Sequence, residues 1–293
     1  MRDVTGIVAV GRVERFFARD PTHHTMLARV GSRKRSTRPT RRPPTVTTIV
    51  FSAVFIGSAI AEPLSGVTFQ SAETQRMQAD DGANPGMLWV EQGAALWSKP
   101  DTADGKACIS CHAPPADSMR GVAARYPAID KTSGQLLNLE ARINQCRTER
   151  MMAPALVPES QELLALTAVI SHQSRGRPRS VTIDGPARPH YEAGRAFFEM
   201  RQGQLNVACG QCHDQSVGKR LRGDRISQGQ TQGWPAYRLE WQTLGSLHRR
   251  LRACSLGVRA EILPFGAPEY VDLELFLAHR GGQLPLESPG VRR

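Results

Sequence analysis

Cys108-Ile109-Ser110-Cys111-His112 and Cys209-Gly210-Gln211-Cys212-His213 are two copies of one pattern, Cys-x-x-Cys-His, set 101 residues apart. In such a pattern two thiols add across the vinyl groups of a haem, and the adjacent histidine is placed to bind the iron. A zinc site or a redox dithiol explains paired cysteines, but not a histidine directly after the second cysteine in both copies. The motifs predict two c-type haems, attached through Cys108, Cys111, Cys209 and Cys212. His112 and His213 are the expected iron ligands.

Outward from the motifs the chain repeats itself. Glu91-Gln92-Gly93-Ala94-Ala95-Leu96-Trp97 matches Glu192-Ala193-Gly194-Arg195-Ala196-Phe197-Phe198 at the same offset of 101. Each reads as a helix entering a haem loop. Leu136, Leu139, Arg142, Ile143 and Cys146 align with Leu244, Leu247, Arg250, Leu251 and Cys254 at an offset of 108. Their apolar positions recur at i, i+3 and i+7, which predicts an amphipathic helix in each copy. Glu162, Leu166, Val169, Ile170, Ser171 and His172 align with Glu269, Leu273, Phe276, Leu277, Ala278 and His279 at an offset of 107, and each set reads as a closing helix. The predicted fold is mainly α: two tandem cytochrome c-like domains over 88–175 and 190–293, each enclosing one covalently bound haem. The Gly- and Pro-rich stretch 176–189 reads as the linker. Residues 62–87, polar and without a period, read as an extended N-terminal arm. Element order of this kind argues for a fold, not for a function.

Residues 1–61 contain 11 Lys/Arg and 3 Asp/Glu, so they carry +8 of the net charge of +11. The rest of the chain has 27 basic and 24 acidic residues, or +3. A nucleic-acid binder keeps its basic surface in the folded part, so no nucleic-acid partner is expected. The basic run Arg33 to Arg42, the apolar stretch Ile49 to Gly57 and the small residues Ala59-Ile60-Ala61 read as a signal peptide with its cleavage site. Met26 is an alternative start. The apolar stretch is too short to span a bilayer comfortably, so no stable membrane insertion is expected after cleavage, and the expected location is the periplasm.

Cys146 and Cys254 remain. An exported protein can pair such cysteines in a disulfide. Yet they hold equivalent places in two repeats, each about forty residues beyond a separate haem motif, which is too far apart for that bond. The usual distal ligand of a cytochrome c is methionine. Met151 and Met152 are available in the first half, but no methionine follows the second motif. Cys254, and Cys146 by symmetry, are the expected distal ligands. Arg142 and Arg250 stand one helical turn before these cysteines, on the same face. Either arginine suits a two-pronged contact with an oxyanion or with a haem propionate. Arg249, Arg252 and Arg259 crowd the second site, whereas Glu140 and Glu149 offset the first. The helix-end His172 and His279 are better read as satisfied by nearby carbonyls than as ligands.

The run Asn206 to Gln215 resembles a known family, as do Gly218-Lys219-Arg220-Leu221-Arg222-Gly223-Asp224, Tyr237-Arg238-Leu239-Glu240-Trp241, Ser246 to Arg250 and Gly266-Ala267-Pro268-Glu269-Tyr270. The chain is similar over about residues 88–293 to the SoxA family, the dihaem subunits of the periplasmic SoxAX cytochromes of bacterial thiosulfate oxidation. The resemblance implies an L-cysteine S-thiosulfotransferase. Such an enzyme joins thiosulfate to a cysteine of a SoxYZ-like sulfur carrier, with two electrons passing to c-type haems. It implies a SoxX-like monohaem cytochrome as partner. It makes His112 and Cys146 the axial ligands of one haem and His213 and Cys254 those of the other. Cys254 becomes the catalytic cysteine, carried in the family as a persulfide, Arg250 the substrate-binding arginine and Arg280 a further member of the anion pocket. The competing reading is a dihaem electron-transfer cytochrome with no chemistry of its own.

Overall fold

The computed structural model describes residues 62–101 and 105–293. The expected signal peptide, 1–61, and Met26 lie outside the described residues. The principal helices are α1 (Ala72–Ala79), α2 (Met87–Ser98), α3 (Leu139–Cys146), α4 (Gln161–His172), α5 (Arg188–Glu199), α6 (Leu247–Gly257) and α7 (Pro268–Arg280). Three short strands, β1 (Ala236–Arg238), β2 (Thr243–Gly245) and β3 (Gly290–Arg292), form one small sheet. In it β1 lies between β2, antiparallel with Tyr237 opposite Leu244, and β3, parallel with Tyr237 opposite Val291. Among the described residues no helix is long and apolar enough to cross a membrane.

Two helix pairs carry the architecture, α2 on α4 and α5 on α7. Each crossing is close because a glycine sits at it. A Cβ on Gly93 would lie 2.1 Å from the Ala165 carbonyl oxygen, and one on Gly194 would lie 2.1 Å from that of Asp272. These glycines are equivalent at the 101-residue offset. Their role is backbone approach rather than an unusual φ. Since the clash would be with backbone, no rotamer change relieves it. Gly194→Ala is expected to cost about 1–3 kcal/mol, the usual range for overpacking, seen as a lower urea midpoint at unchanged slope.

The amphipathic helices begin three residues later than their apolar pattern suggested. Asn138 Oδ1 accepts from the Ala141 amide at 2.9 Å, and Ser246 Oγ accepts from the Arg249 amide at 3.1 Å. These N-caps start α3 and α6, leaving Leu136 in a two-residue strand and Leu244 in β2. Past Cys146 the chain widens into a π-turn, Arg147–Met151, whereas α6 runs on beyond Cys254 to Gly257. The third helix pattern appears as α4 and α7. The linker is tied down: the Gly176 amide donates to the Leu286 carbonyl at 2.8 Å and the Ser180 amide to that of Ala124 at 2.8 Å. Helix α5 starts at Arg188, because Pro189 is tolerated in a first turn.

The expected extended arm is corrected. Residues 62–87 contain a 3₁₀ turn, Gly66–Phe69, and helix α1, capped by Ser71 Oγ on the Thr74 amide at 3.2 Å. The segment lies against the C-terminal strand. Gln78 Oε1 accepts from the Val291 amide at 3.0 Å, and Asn84 Nδ2 donates to the Pro289 carbonyl at 2.9 Å. Its polar residues looked like a loose tail in sequence. They serve instead as partners for a strand edge more than two hundred residues away, as the 213-residue separation of Gln78 and Val291 shows.

Two buried apolar clusters result. The larger contains Trp97, Leu139, Ile143, Leu163 and Val169, with Cys108 packed against it. The smaller contains Phe198, Leu273, Phe276 and Leu277, with Cys209 and Leu251 packed against it. Each presents the first cysteine of a haem motif to an apolar wall.

Candidate haem and anion sites

Each motif closes on itself in the same way. Its third member turns back: Ser110 Oγ accepts from the Ala107 amide at 3.1 Å, and Gln211 Oε1 accepts from the Ala208 amide at 2.9 Å. The loop conformation is therefore capped by the residue just ahead of the second cysteine. No disulfide joins any of the six cysteines, so Cys146 and Cys254 are not crosslinked.

In the second motif, His213 Nδ1 donates to the Ser227 carbonyl at 2.7 Å. That bond fixes the ring and leaves Nε2 as the free donor atom, the arrangement of an iron-bound imidazole. Burial holds the His213 pKa below its ordinary value, despite that hydrogen bond, and the nearby Arg250 and Arg280 push the same way. The ring is thus kept neutral. Gly229 lies beneath it: a Cβ there would stand 2.9 Å from His213 Cγ, and the residue has φ +71°. Both conditions require glycine. Burial pushes the Cys209 thiol up to about 11, and the neighbouring Cys254 adds to the rise. So Cys254 has been brought from the C-terminal half of α6 to the motif it was expected to face.

In the first motif, Trp97 packs on His112 with ring centroids 5.7 Å apart, and Trp97 Nε1 donates to the Ala113 carbonyl at 3.2 Å. Burial raises the Cys108 pKa, with Arg147 opposing and Cys146 adding. Cys146 opens into a cleft of about 290 Å³ lined also by Tyr126, Asp130, Arg142 and Arg150. Met152 is 74% exposed, pointing away from the interior, while Met151 is buried. The donor sets of both motifs fit a covalently attached haem: paired thiols against an apolar wall, one histidine, and a further cysteine beside them.

The two arginines differ. Arg142 Nη1 contacts Asp130 Oδ1 at 3.3 Å and donates to Gln145 Oε1 at 2.6 Å. Arg250 has no ion pair or side-chain hydrogen bond among the described residues, and it lies within charge range of His213 and Arg238. Arg280, expected in the anion pocket, makes contacts of its own within the protein. Its guanidinium donates to Asp214 Oδ1 and to the Gln228 carbonyl and stacks 5.1 Å from the Phe198 ring centroid. These contacts tie it to the His213 loop. His279 packs edge-on against Tyr191 at 5.2 Å, and burial lowers the His172 pKa.

The sequence reading missed a buried polar cavity of about 40 Å³ where α3 and α6 begin. Glu140 and His248, equivalent at the 108-residue offset, both line it. Glu274 on α7 joins the two helices: its Oε2 accepts from Asn138 Nδ2 at 3.2 Å and stands 3.3 Å from His248 Nε2. Glu159 Oε1 accepts from the Ser246 amide at 3.1 Å, and Arg179 completes the lining. The offset that aligned the arginines and cysteines also aligned these two residues, so the signal was present. Burial pushes the Glu140 carboxyl up to about 8 from 4.5; Glu274 and Glu159 add to this and His248 opposes it. The folded protein holds this proton more tightly than the unfolded chain. Its contribution to stability is full below about pH 4.5 and is lost as pH rises towards 8. Glu140→Gln is expected to flatten that fall and to be more stable than wild type at pH 8, by on the order of 2 kcal/mol, in urea unfolding at pH 5 and pH 8.

A mostly helical chain with haem-attachment motifs packed in this way is a c-type cytochrome. A family model described as the SoxA/TsdA cytochrome c domain matches residues 92–178. The "L-cysteine S-thiosulfotransferase subunit SoxA" of Rhodovulum sulfidophilum is 42% identical over 228 residues, 78% of this chain and 79% of that protein. The protein of the same name from Pseudaminobacter salicylatoxidans is 41% identical over 238 residues, 81% of this chain and 83% of that protein. The crystal structure of SoxXA from P. pantotrophus superposes with a TM-score of 0.77 at 36% identity, over 79% of this chain and 87% of that one. The chain belongs to the SoxA family.

Proposed function

We propose that this chain is the dihaem subunit of an L-cysteine S-thiosulfotransferase and that its second haem site, with Cys254, is where thiosulfate is joined to a carrier cysteine. The unpaired Arg250, one turn from Cys254, carries the reading. Residues 88–175 and 190–293 act as tandem cytochrome c-like domains, joined by 176–189. His112 and Cys146 hold one iron and His213 and Cys254 the other, with covalent attachment through Cys108, Cys111, Cys209 and Cys212. The site works in the periplasm with a SoxX-like monohaem cytochrome and a SoxYZ-like carrier.

The two haems, when bound, would supply one-electron acceptors at each iron and so together take up two electrons. The protein's own residues do the rest. Arg250 attracts the thiosulfate dianion and orients its sulfonate oxygens through a two-pronged contact. The outer sulfur then bonds to Cys254 as the pair of electrons is lost. The thiolate of the carrier cysteine next attacks that sulfur, forming the carrier S–S bond and returning Cys254. The neutral His213 and the arginine brace at Arg280 keep the loop geometry constant through the cycle.

Peptide-resolved mass analysis of the haem-loaded protein after exposure to thiosulfate tests the assignment. Sulfur-bearing adducts confined to Cys254, with haem on all four motif cysteines, are the expected result. A Cys254 that remains unmodified, in protein that passes electrons normally, favours a plain electron carrier.

A further inference from the structure

Arg250 owes its lack of a partner to its neighbours. A carboxylate within charge range of it is Glu240, which also feels Arg238 and Arg293. Glu240 is engaged elsewhere: Arg238 Nη2 donates to its Oε2 at 2.7 Å. Arg238 is held where it can do this. It is 5% exposed, at the end of β1 and opposite Thr243 of β2, the strand that leads into α6. Its guanidinium lies 4.9 Å from the Trp241 ring centroid, and that of Arg249 lies 4.3 Å from the same ring. Trp241 is itself seated on Gly245, where a Cβ would stand 2.5 Å from the indole. Arg249 in turn faces Glu159 at 3.7 Å. The Arg238 Nε is buried without a hydrogen-bond partner, so the geometry keeps a desolvated cation in place for one exposed carboxylate.

We propose that Arg238 is a positioning residue for the anion site: by occupying Glu240 it prevents that carboxylate from neutralising Arg250, so that Arg250 stays open to the thiosulfate dianion. The inference rests on the reading of Arg250 as the substrate arginine. Arg238 itself need not touch substrate. A buried guanidinium fixed by an aromatic face outcompetes a mobile, more exposed one for a shared carboxylate, because less side-chain freedom is lost on pairing. The repeat offers a contrast: Arg142 has no such guard and is paired to Asp130.

The test is a double-mutant cycle on the haem-loaded complex with its partner cytochrome, with KM for thiosulfate and kcat measured separately at about 0.15 M salt, where long-range fields are screened. Arg238→Met is expected to raise KM about tenfold with little change in kcat, the mark of lost substrate binding. Glu240→Gln alone should stay within about twofold of wild type, and the double variant should return to that level, so the two effects are strongly non-additive. A general loss of positive field predicts additivity instead, with Glu240→Gln lowering KM as much as Arg238→Met raises it; that result, or an unchanged KM in Arg238→Met, overturns the proposal. Should Arg238→Met not fold, Arg238→Leu, which likewise leaves Glu240 without a donor, takes its place with the same expectations and the same overturning results. Arg250→Gln is the control. If it leaves KM unchanged, the reading of the anion site has failed; if it raises KM while Arg238→Met does not, only the present inference has.

Discussion

Cys254→Ala is expected to abolish thiosulfate conjugation, a loss of about 10⁴-fold or more, as when an enzyme loses its nucleophile, while Cys146→Met keeps most of the activity. The contrast follows from the surroundings of two residues that the repeat makes equivalent. Cys254 ends a turn that begins at an unpaired Arg250, itself within charge range of His213, and it lies near Cys209. Cys146 follows an arginine already bound to Asp130 and Gln145, and its cleft also holds Glu149. An anionic substrate is drawn to the first environment and not to the second. Methionine at 146 still offers a sulfur ligand, so the expected change there is in redox behaviour rather than in conjugation. The measurement is carrier adduct formed per enzyme, with haem content checked on the same samples, since on the proposed attachment Cys209 and Cys212 would keep the haem in Cys254→Ala. Full activity in Cys254→Ala sinks the catalytic assignment.

Arg250→Gln is the second large effect. A charge-assisted hydrogen bond contributes about 1.5–3 kcal/mol, so kcat/KM for thiosulfate should fall roughly 10- to 150-fold at 1.36 kcal/mol per decade. Arg142→Gln should change it little, because the Arg142 donors are spent on Asp130 and Gln145. The dependence of KM on salt should weaken in Arg250→Gln, as a charge that attracts the substrate has been removed. A variant with unchanged kcat/KM would leave Arg250 with no role beyond the protein itself. Arg280→Gln behaves differently under this reading: it loosens the loop through Asp214 and the Gln228 carbonyl, and the change falls on haem-site stability first.

Much of this was legible in the chain itself. A period-3.6 pattern located α3 and α6, since amphipathic faces are local properties, and the repeated blocks around it located α2, α4, α5 and α7. The Cys-x-x-Cys-His spacing named the cofactor, because the chemistry of attachment needs three side chains within five residues. Repetition at offsets near one hundred residues pointed to Cys146 and Cys254. What stayed hidden were contacts between residues far apart in number. Residues 62–87 read as loose, because nothing local shows that Gln78 meets Val291. The pairing of Arg280 with Asp214, 66 residues apart, was equally hidden. Arg238 carried no signal beyond its place in a recognisable run.

By itself the sequence determined the cofactor chemistry, the duplicated helix order and the short list of groups able to act at each site. Those follow from side-chain identity and spacing along one element, which no folding partner can alter. Only the tertiary structure decided which of two equivalent arginines is free. Arg142 and Arg250 are the same residue at the same distance from a cysteine. Their difference lies in whether a carboxylate is already bonded to them, as Asp130 is to Arg142, or is held off, as Glu240 is by Arg238. Coulombic energy depends on distances through space, and those distances exist only once the chain has folded.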